Sequence, residues 1–135
     1  MAGAKHARIG QGFSMRHCLV IDDSRVVRKV ARRILEDFDF TVTEAEDGRV
    51  ALDTCQRSMP DLVLLDWHLP VMDGLDFLAS LRQMEGGKRP KVVFCASEAD
   101  VAQIARALRA GADEYILKPF DRAAVETKLH EIGMV

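Results

Sequence analysis

Four polar residues stand directly after short apolar runs, where strands would end. Asp22 and Asp23 follow Cys18-Leu19-Val20-Ile21, Asp66 follows Leu62-Val63-Leu64-Leu65, and Lys118, preceding Pro119, follows Tyr115-Ile116-Leu117. If those runs are parallel strands of one sheet, three carboxylates and one ammonium meet at its carboxyl edge, where open α/β sheets gather functional groups. Carboxylates that close repel one another, and one of them stays protonated unless a cation compensates. A hard divalent ion answers that need, and Mg2+ suits a half-wet cup of two side-chain oxygens and several waters. The lysine has the wrong sign for such an ion. It makes sense when a second anion, such as a phosphoryl group, lies between ion and ammonium. A carboxylate beside both is then a candidate phosphoryl acceptor. Taken singly each piece has a plainer reading, since an Asp-Asp pair after a strand usually makes a turn and caps a helix. The conjunction of the three positions, in that order, carries the chemistry.

The elements that must position these groups are legible as an alternation. Five short runs, the three above with Phe40-Thr41-Val42-Thr43 and Val92-Val93-Phe94-Cys95, alternate with five amphipathic stretches. Four of the runs are nearly all apolar, as strands covered on both faces of a parallel sheet are; the Thr-alternating one suits an edge. Val26, Val27, Val30, Ala31, Ile34 and Leu35 line one face of the first helix, with Ser24 as its N-cap. Shorter helices follow Asp47-Gly48 and Asp73-Gly74. Val101, Ile104, Ala105 and Leu108 mark a fourth, stopped by Gly111, and Val125, Leu129 and Ile132 a fifth, opened by Asp121. Five such units predict an α/β, doubly wound sandwich with helices on both faces of the sheet. Residues 1–15 read as a flexible N-terminal extension and residues 16–135 as one domain.

Composition excludes several classes. With 19 basic and 21 acidic residues the net charge is −2, so no basic field points to nucleic acid. Eight aromatics in 135 residues are too few for a base-stacking platform. No apolar run approaches the roughly 20 residues that cross a membrane, and no apolar stretch follows the N-terminal cations as an export signal requires. Cys18, Cys55 and Cys95 fall in no metal-ligand spacing and read as reduced, buried thiols, which predicts a cytoplasmic protein.

Asp22-Asp23-Ser24, the stretch Leu64-Leu65-Asp66-Trp67-His68-Leu69-Pro70-Val71-Met72-Asp73-Gly74, and Gly111-Ala112-Asp113-Glu114-Tyr115-Ile116-Leu117-Lys118-Pro119-Phe120 resemble the signatures of response-regulator receiver domains of the CheY-like kind. The resemblance runs from about residue 16 to the C-terminus. It implies a flavodoxin-like fold with five parallel strands in the order 2-1-3-4-5. It implies that Asp66 takes a phosphoryl group from a phosphohistidine of a sensor kinase or histidine phosphotransfer protein, with Mg2+ as cofactor. Asp23 would ligate the ion directly, Asp22 mainly through water, and His68 through its backbone carbonyl. Lys118 would hold the phosphoryl oxygens, and its bond to Pro119 would be cis. The implied protein is a single-domain regulator of two-component or phosphorelay signalling, a monomer that catalyses only its own phosphorylation and dephosphorylation.

One position departs from that pattern. The family usually carries Thr or Ser at the end of the fourth strand, and counting without gaps from Asp66 and from Lys118 lands on Ala96, with Ser97 as the candidate substitute. A one-residue shift aligned on Pro90 would choose Cys95 instead. Tyr115 matches the aromatic switch position, and Ala96 beneath it leaves room for an inward ring. His68 and Glu98 match variable positions that in the family tune acyl-phosphate lifetime, and Trp67, the single tryptophan, adjoins the acceptor as a natural reporter.

Partners are expected on the first helix. Arg25, Arg28, Lys29, Arg32 and Arg33 form a basic stripe without an intervening acid, either a solvated face or a surface that steers an acidic phosphodonor. Arg106 and Arg109 on the fourth helix could serve a downstream protein target in the same way. The alternative is a degenerate receiver, a phosphorylation-independent interaction module, which Ala96 favours and the intact Asp22, Asp23, Asp66 and Lys118 oppose. A Mg2+-dependent phosphatase would need a second acid where His68 stands, and a flavin phosphate would be repelled by Asp22-Asp23.

Overall fold

The computed structural model describes residues 16–135; the expected N-terminal extension, residues 1–15, lies outside the described residues. The chain runs β1 (His17–Ile21), α1 (Arg25–Asp37), β2 (Thr41–Ala45), α2 (Gly48–Arg57), β3 (Leu62–Asp66), α3 (Gly74–Gln83), β4 (Lys91–Ala96), a 3-10 segment (Glu98–Gln103), α4 (Ile104–Ala110), β5 (Glu114–Leu117) and α5 (Arg122–Glu131). All strand pairs are parallel and the order is β2-β1-β3-β4-β5, the flavodoxin-like arrangement expected. The register brings Ile21 beside Leu65, Asp66 beside Cys95 and Ala96 beside Leu117, so the polar strand ends share one edge.

The strands are nearly all apolar because both faces are covered, and their period of two divides the core. Leu19, Ile21, Val63, Leu65, Val92, Phe94 and Ala96 pack with Ala51, Leu52, Phe77, Leu78, Leu81 and Ala107 of α2, α3 and α4. Cys18, Val20, Leu62, Leu64, Val93, Cys95 and Ile116 pack with Ala31 and Leu35 of α1 and Val125 and Leu129 of α5. Burying one such side chain stabilises the fold by about 1.5–3 kcal/mol. The three cysteines are free and buried, and burial pushes the thiol of Cys55 up to about 11 and that of Cys95 to about 12.

Helix starts follow the expected caps. The Ser24 hydroxyl accepts from the Val27 amide, and Asp47, Asp73 and Asp121 carboxylates accept from the amides of Val50, Asp76 and Ala124. Gly111 ends α4 at φ 119°, a conformation that favours glycine.

Three sequence expectations need correction. The second strand starts at Thr41 and runs on to Ala45, leaving buried Phe40 just outside it. The fourth helix does not bury the stripe Val101, Ile104, Ala105 and Leu108: Ala107 is its buried residue, while Val101 and Leu108 are 51% and 41% exposed. The reason is a change of period, since the 3-10 segment turns every three residues and α4 every 3.6, so one stripe cannot continue through both. On α1, Val26 and Val30 are 72% and 46% exposed, because Ala31 and Leu35 take the sheet-facing positions. The two valines line an apolar groove with Lys118, Pro119 and Phe120.

Candidate phosphoryl-acceptor site

Asp22, Asp23 and Asp66 come together as the sequence predicts, each offering a carboxylate oxygen within 4.8 Å of the others. Asp22 and Asp66 are buried and Asp23 is exposed. Lys118 reaches in from the end of β5 and its ammonium donates to Asp22 Oδ2 at 2.9 Å and to Asp66 Oδ1 at 3.2 Å. The other oxygen of Asp22 accepts from the Ser24 amide at 2.9 Å, so one residue serves both the site and the entry to α1. The carboxylate of Asp23 has no partner among the described residues. The Lys118-Pro119 bond is cis, and the Lys118 amide donates to the Ala96 carbonyl at 2.8 Å, which pins the β5 end to the β4 end.

The site holds one cation against three anions. Burial and then the charge of Asp22 push the Asp66 carboxyl above its usual range; Lys118, which donates to it, and the adjacent Trp67 backbone pull the other way without cancelling the rise. Burial disfavours the Lys118 ammonium, yet the hydrogen bonds and charges of Asp22 and Asp66 outweigh it and hold that group above its ordinary value. A buried carboxylate with a raised pKa beside an exposed, unpartnered carboxylate is short of positive charge, and a divalent cation fits the donor set: hard oxygens, open to water on the Asp23 side.

The mouth is built by the loops after β3 and β4. Gly74, the first residue of α3, donates its amide to the Trp67 carbonyl at 3.0 Å, and a Cβ there would stand 2.4 Å from the Asp66 carbonyl oxygen. The glycine lets a helix start directly against the acceptor's backbone. Trp67 packs edge-on to Phe94, ring centroids 5.2 Å apart, and the Arg106 guanidinium lies 5.9 Å over its ring. Arg106 and Arg109 are both exposed, and Arg106 lies over the Trp67 ring of the loop after β3.

At the switch positions, Ala96 is fully buried at the end of β4 and offers no hydroxyl. Ser97 donates its hydroxyl to Asp100 Oδ2 at 2.9 Å. The His68 side chain is exposed, but its Nε2 bonds the buried Asp100 Oδ1 at 2.9 Å. Tyr115 is half-buried, packed against the core cluster containing Ala96, with the Lys128 ammonium 4.6 Å from its ring centre. Glu98 is exposed. Asp100, buried and bonded to both His68 and Ser97, is the residue of this mouth that the sequence reading missed. The spacing Ser97-x-x-Asp100 is a capping signature and was the available signal.

The basic stripe is partly paired within the chain. Glu44 of β2 accepts from Arg28 Nε at 3.1 Å, Lys29 Nζ at 2.9 Å and Arg32 Nε at 2.6 Å, so three of the five cations are held by an acid of the same chain. Burial works against the Glu44 carboxylate, but the bonds from Lys29, Arg32 and Arg28 bring its pKa down to about 2. Arg28 also donates to the Asp22 carbonyl at 2.8 Å, tying the helix to the site. Arg25 and Arg33 have no acidic partner among the described residues.

Comparison with known proteins agrees with this geometry. The model of the response regulator receiver domain family matches residues 18–130. The chain is 37% identical over 115 residues to the chemotaxis protein CheY-3 of Vibrio cholerae, covering 84% of this chain and 88% of that protein. It is 35% identical to the chemotaxis protein CheY of Pseudomonas aeruginosa, covering 84% and 93%. Among solved structures, the response regulator CheY4 of Vibrio cholerae superposes with a TM-score of 0.82 at 27% identity, covering 88% of this chain and 99% of that one. The receiver domain of the sensor histidine kinase PA1611 from Pseudomonas aeruginosa, with a magnesium ion in its active site cleft, gives 0.79 at 29% identity, covering 87% and 97%. With a family model over residues 18–130, relatives 35–37% identical over most of their length, and a buried carboxylate beside two further acids and a lysine on this sheet, the chain is a member of the response regulator receiver domain family.

Proposed function

We propose that the chain is a response regulator of the CheY-like kind, in which Asp66 accepts a phosphoryl group from a phosphohistidine of a sensor histidine kinase or histidine phosphotransfer protein in a Mg2+-dependent reaction, and which signals or relays through protein partners. The observation that carries the reading is the Lys118 ammonium shared between Asp22 and Asp66, with the free carboxylate of Asp23 alongside. In the transfer, an Asp66 oxygen forms a bond to phosphorus while the phosphorus–nitrogen bond of the donor breaks and its electron pair returns to the imidazole. Lys118 leaves its carboxylate partners to neutralise charge on the phosphoryl oxygens, an electrostatic role that needs no reorganisation of the sheet. Mg2+, when bound, supplies the compensating charge for the acidic pair and the incoming oxygens. Asp23 and Asp66 would hold it directly. Both oxygens of Asp22 are already engaged, which suits contact through water, and the His68 carbonyl completes the set.

The donor would dock over α1. Its exposed Val26 and Val30 flank the Lys118-Pro119-Phe120 loop, and the unpaired Arg25 and Arg33 offer charge to an acidic helical partner. The protein is proposed to work as a cytoplasmic monomer; no helix among the described residues is long and apolar enough to cross a membrane. Ala96 favours the second reading, a phosphorylation-independent interaction module.

Trp67 fluorescence separates the two. Mg2+ followed by beryllofluoride should change its emission in the wild type, and Asp66→Asn should abolish the second change. A wild type silent to both additions leaves the interaction module as the better account.

A further inference from the structure

The domain lacks the hydroxyl that would move toward a phosphoryl group at the end of β4, since Ala96 stands there and the Ser97 hydroxyl is spent on Asp100. Another donor lies on the loop after β3. His68, two residues beyond Asp66, bonds Asp100 Oδ1 through Nε2 at 2.9 Å. The ionised carboxylate can only accept, so Nε2 is the nitrogen that carries the hydrogen. Asp100 is buried and its second oxygen takes the Ser97 hydroxyl at 2.9 Å and the Ser97 amide at 3.3 Å. One carboxylate therefore fastens the start of the 3-10 segment and, through His68, ties that segment to the acceptor's own loop.

A second tie runs in parallel. The ring of Trp67, the residue directly after Asp66, lies under Arg106 of α4. Both residues that follow the acceptor are thus linked to the Glu98–Ala110 stretch, one by a hydrogen bond and one by a cation over a ring. An acyl phosphate on Asp66 would bring three strong acceptor oxygens close to a donor now given to Asp100.

We infer that His68 is the movable hydrogen-bond donor of this domain: Asp100 holds its Nε2–H in the unmodified state, a phosphoryl group on Asp66 takes it over, and the Glu98–Ala110 segment is released. The inference rests on Asp66 being the acceptor proposed above. His68 does from the β3–α3 loop what a hydroxyl at position 96 would do from the strand. Asp100 acts only through His68 and is a positioning residue.

The test is amide hydrogen exchange over residues 98–110 with Mg2+ and beryllofluoride, with occupancy of Asp66 followed separately by fluorine NMR on the same samples. Loss of one hydrogen bond to a charged group corresponds to about tenfold faster exchange. In the wild type, the segment should quicken by that factor on occupancy. Asp100→Ala should exchange at the quickened rate before any addition and respond no further. His68→Ala should behave like Asp100→Ala when compared at equal occupancy, whereas His68→Gln, which can still donate, should restore the response. Ser97→Ala, which weakens the cap but leaves the His68–Asp100 bond, should keep the response, and its loss there would mark the effect as mere fraying and overturn the inference. A response in His68→Ala equal to that of the wild type at equal occupancy would overturn it as well. Failure of beryllofluoride to occupy Asp66 would instead remove the acceptor reading beneath it, and the fluorine signal tells the two failures apart.

Discussion

The Lys118 ammonium lies 3.2 Å from Asp66 Oδ1, joining strand ends 52 residues apart, and that contact is the cation nearest the site of bond formation. Removing one preorganised donor from a charge-developing site typically costs 10²–10³ in rate. Lys118→Ala should therefore slow phosphoryl uptake by Asp66 from acetyl phosphate by about 10²-fold. Lys118→Arg should retain part of the rate, because the charge survives while the geometry does not. Mass spectrometry of the acylated chain over time reads both, and a rate in Lys118→Ala within a factor of about three of the wild type would be incompatible with its role.

Asp66 is pushed up by burial first and by Asp22 second. Asp22→Asn removes the second cause, so the Asp66 pKa should fall. The sign for stability follows. A raised folded value means that folded Asp66 binds its proton before the unfolded chain does, so its ionisation costs stability as pH rises and the cost vanishes on acidification. Carbon NMR of labelled aspartates without metal checks the direction, and a rise of the Asp66 pKa in Asp22→Asn would contradict the order of causes.

The cup was legible because parallel strands buried on both faces are short, continuous apolar runs, and the residues just after them must stand at one edge. Asp22, Asp66 and Lys118 needed nothing more. Ser24 and Asp121 were likewise readable as caps from their own neighbours. What stayed hidden depends on which elements lie side by side. Glu44 looks like an ordinary edge-strand acid until α1 is laid across β2 and three cations converge on it. Asp100 looks like a cap until the fold brings His68 against it from 32 positions away. The α4 stripe misled because a 3-10 segment ahead of the helix changes the period midway, which an apolar pattern alone does not reveal.

Glu44 gives a stability prediction with a defined pH window. Its folded pKa of about 2 lies below the ordinary glutamate value of about 4.3. The stabilisation is complete above the latter and is lost as pH falls through the former. Glu44→Gln should lower unfolding free energy at neutral pH by about 1–2 kcal/mol, since Lys29 and Arg32 are 53% and 33% exposed and their pairs partly screened. The difference from wild type should shrink steadily below pH about 4 in urea titrations. A difference independent of pH would show that the charge network is not its source.

Val71 stands at φ 68° and is 81% exposed, a β-branched residue in the left-handed region with little packing to lose. That conformation costs an L-residue about 1–2 kcal/mol, and asparagine tolerates it. Val71→Asn should raise stability by about 1 kcal/mol and leave the Mg2+ response of Trp67 in place. A drop in stability would mean that the valine makes contacts that outweigh its backbone strain.

Gly74 opens α3, and in an ordinary helix replacing glycine by alanine stabilises by about 1 kcal/mol. Here a Cβ would meet the Asp66 carbonyl oxygen at 2.4 Å and the Trp67 backbone at 3.2 Å, contacts with main chain that cannot swing aside. Gly74→Ala should therefore destabilise, by about 1–3 kcal/mol as overpacked positions do, against the direction that helix propensity dictates. Because the displaced atoms belong to the acceptor residue, phosphoryl uptake should fall with stability. Asp73→Ala, which removes only the N-cap, should cost about 1 kcal/mol while sparing uptake in the molecules that stay folded. Equal uptake per folded molecule in the two variants would show that the start of α3 can shift without moving Asp66.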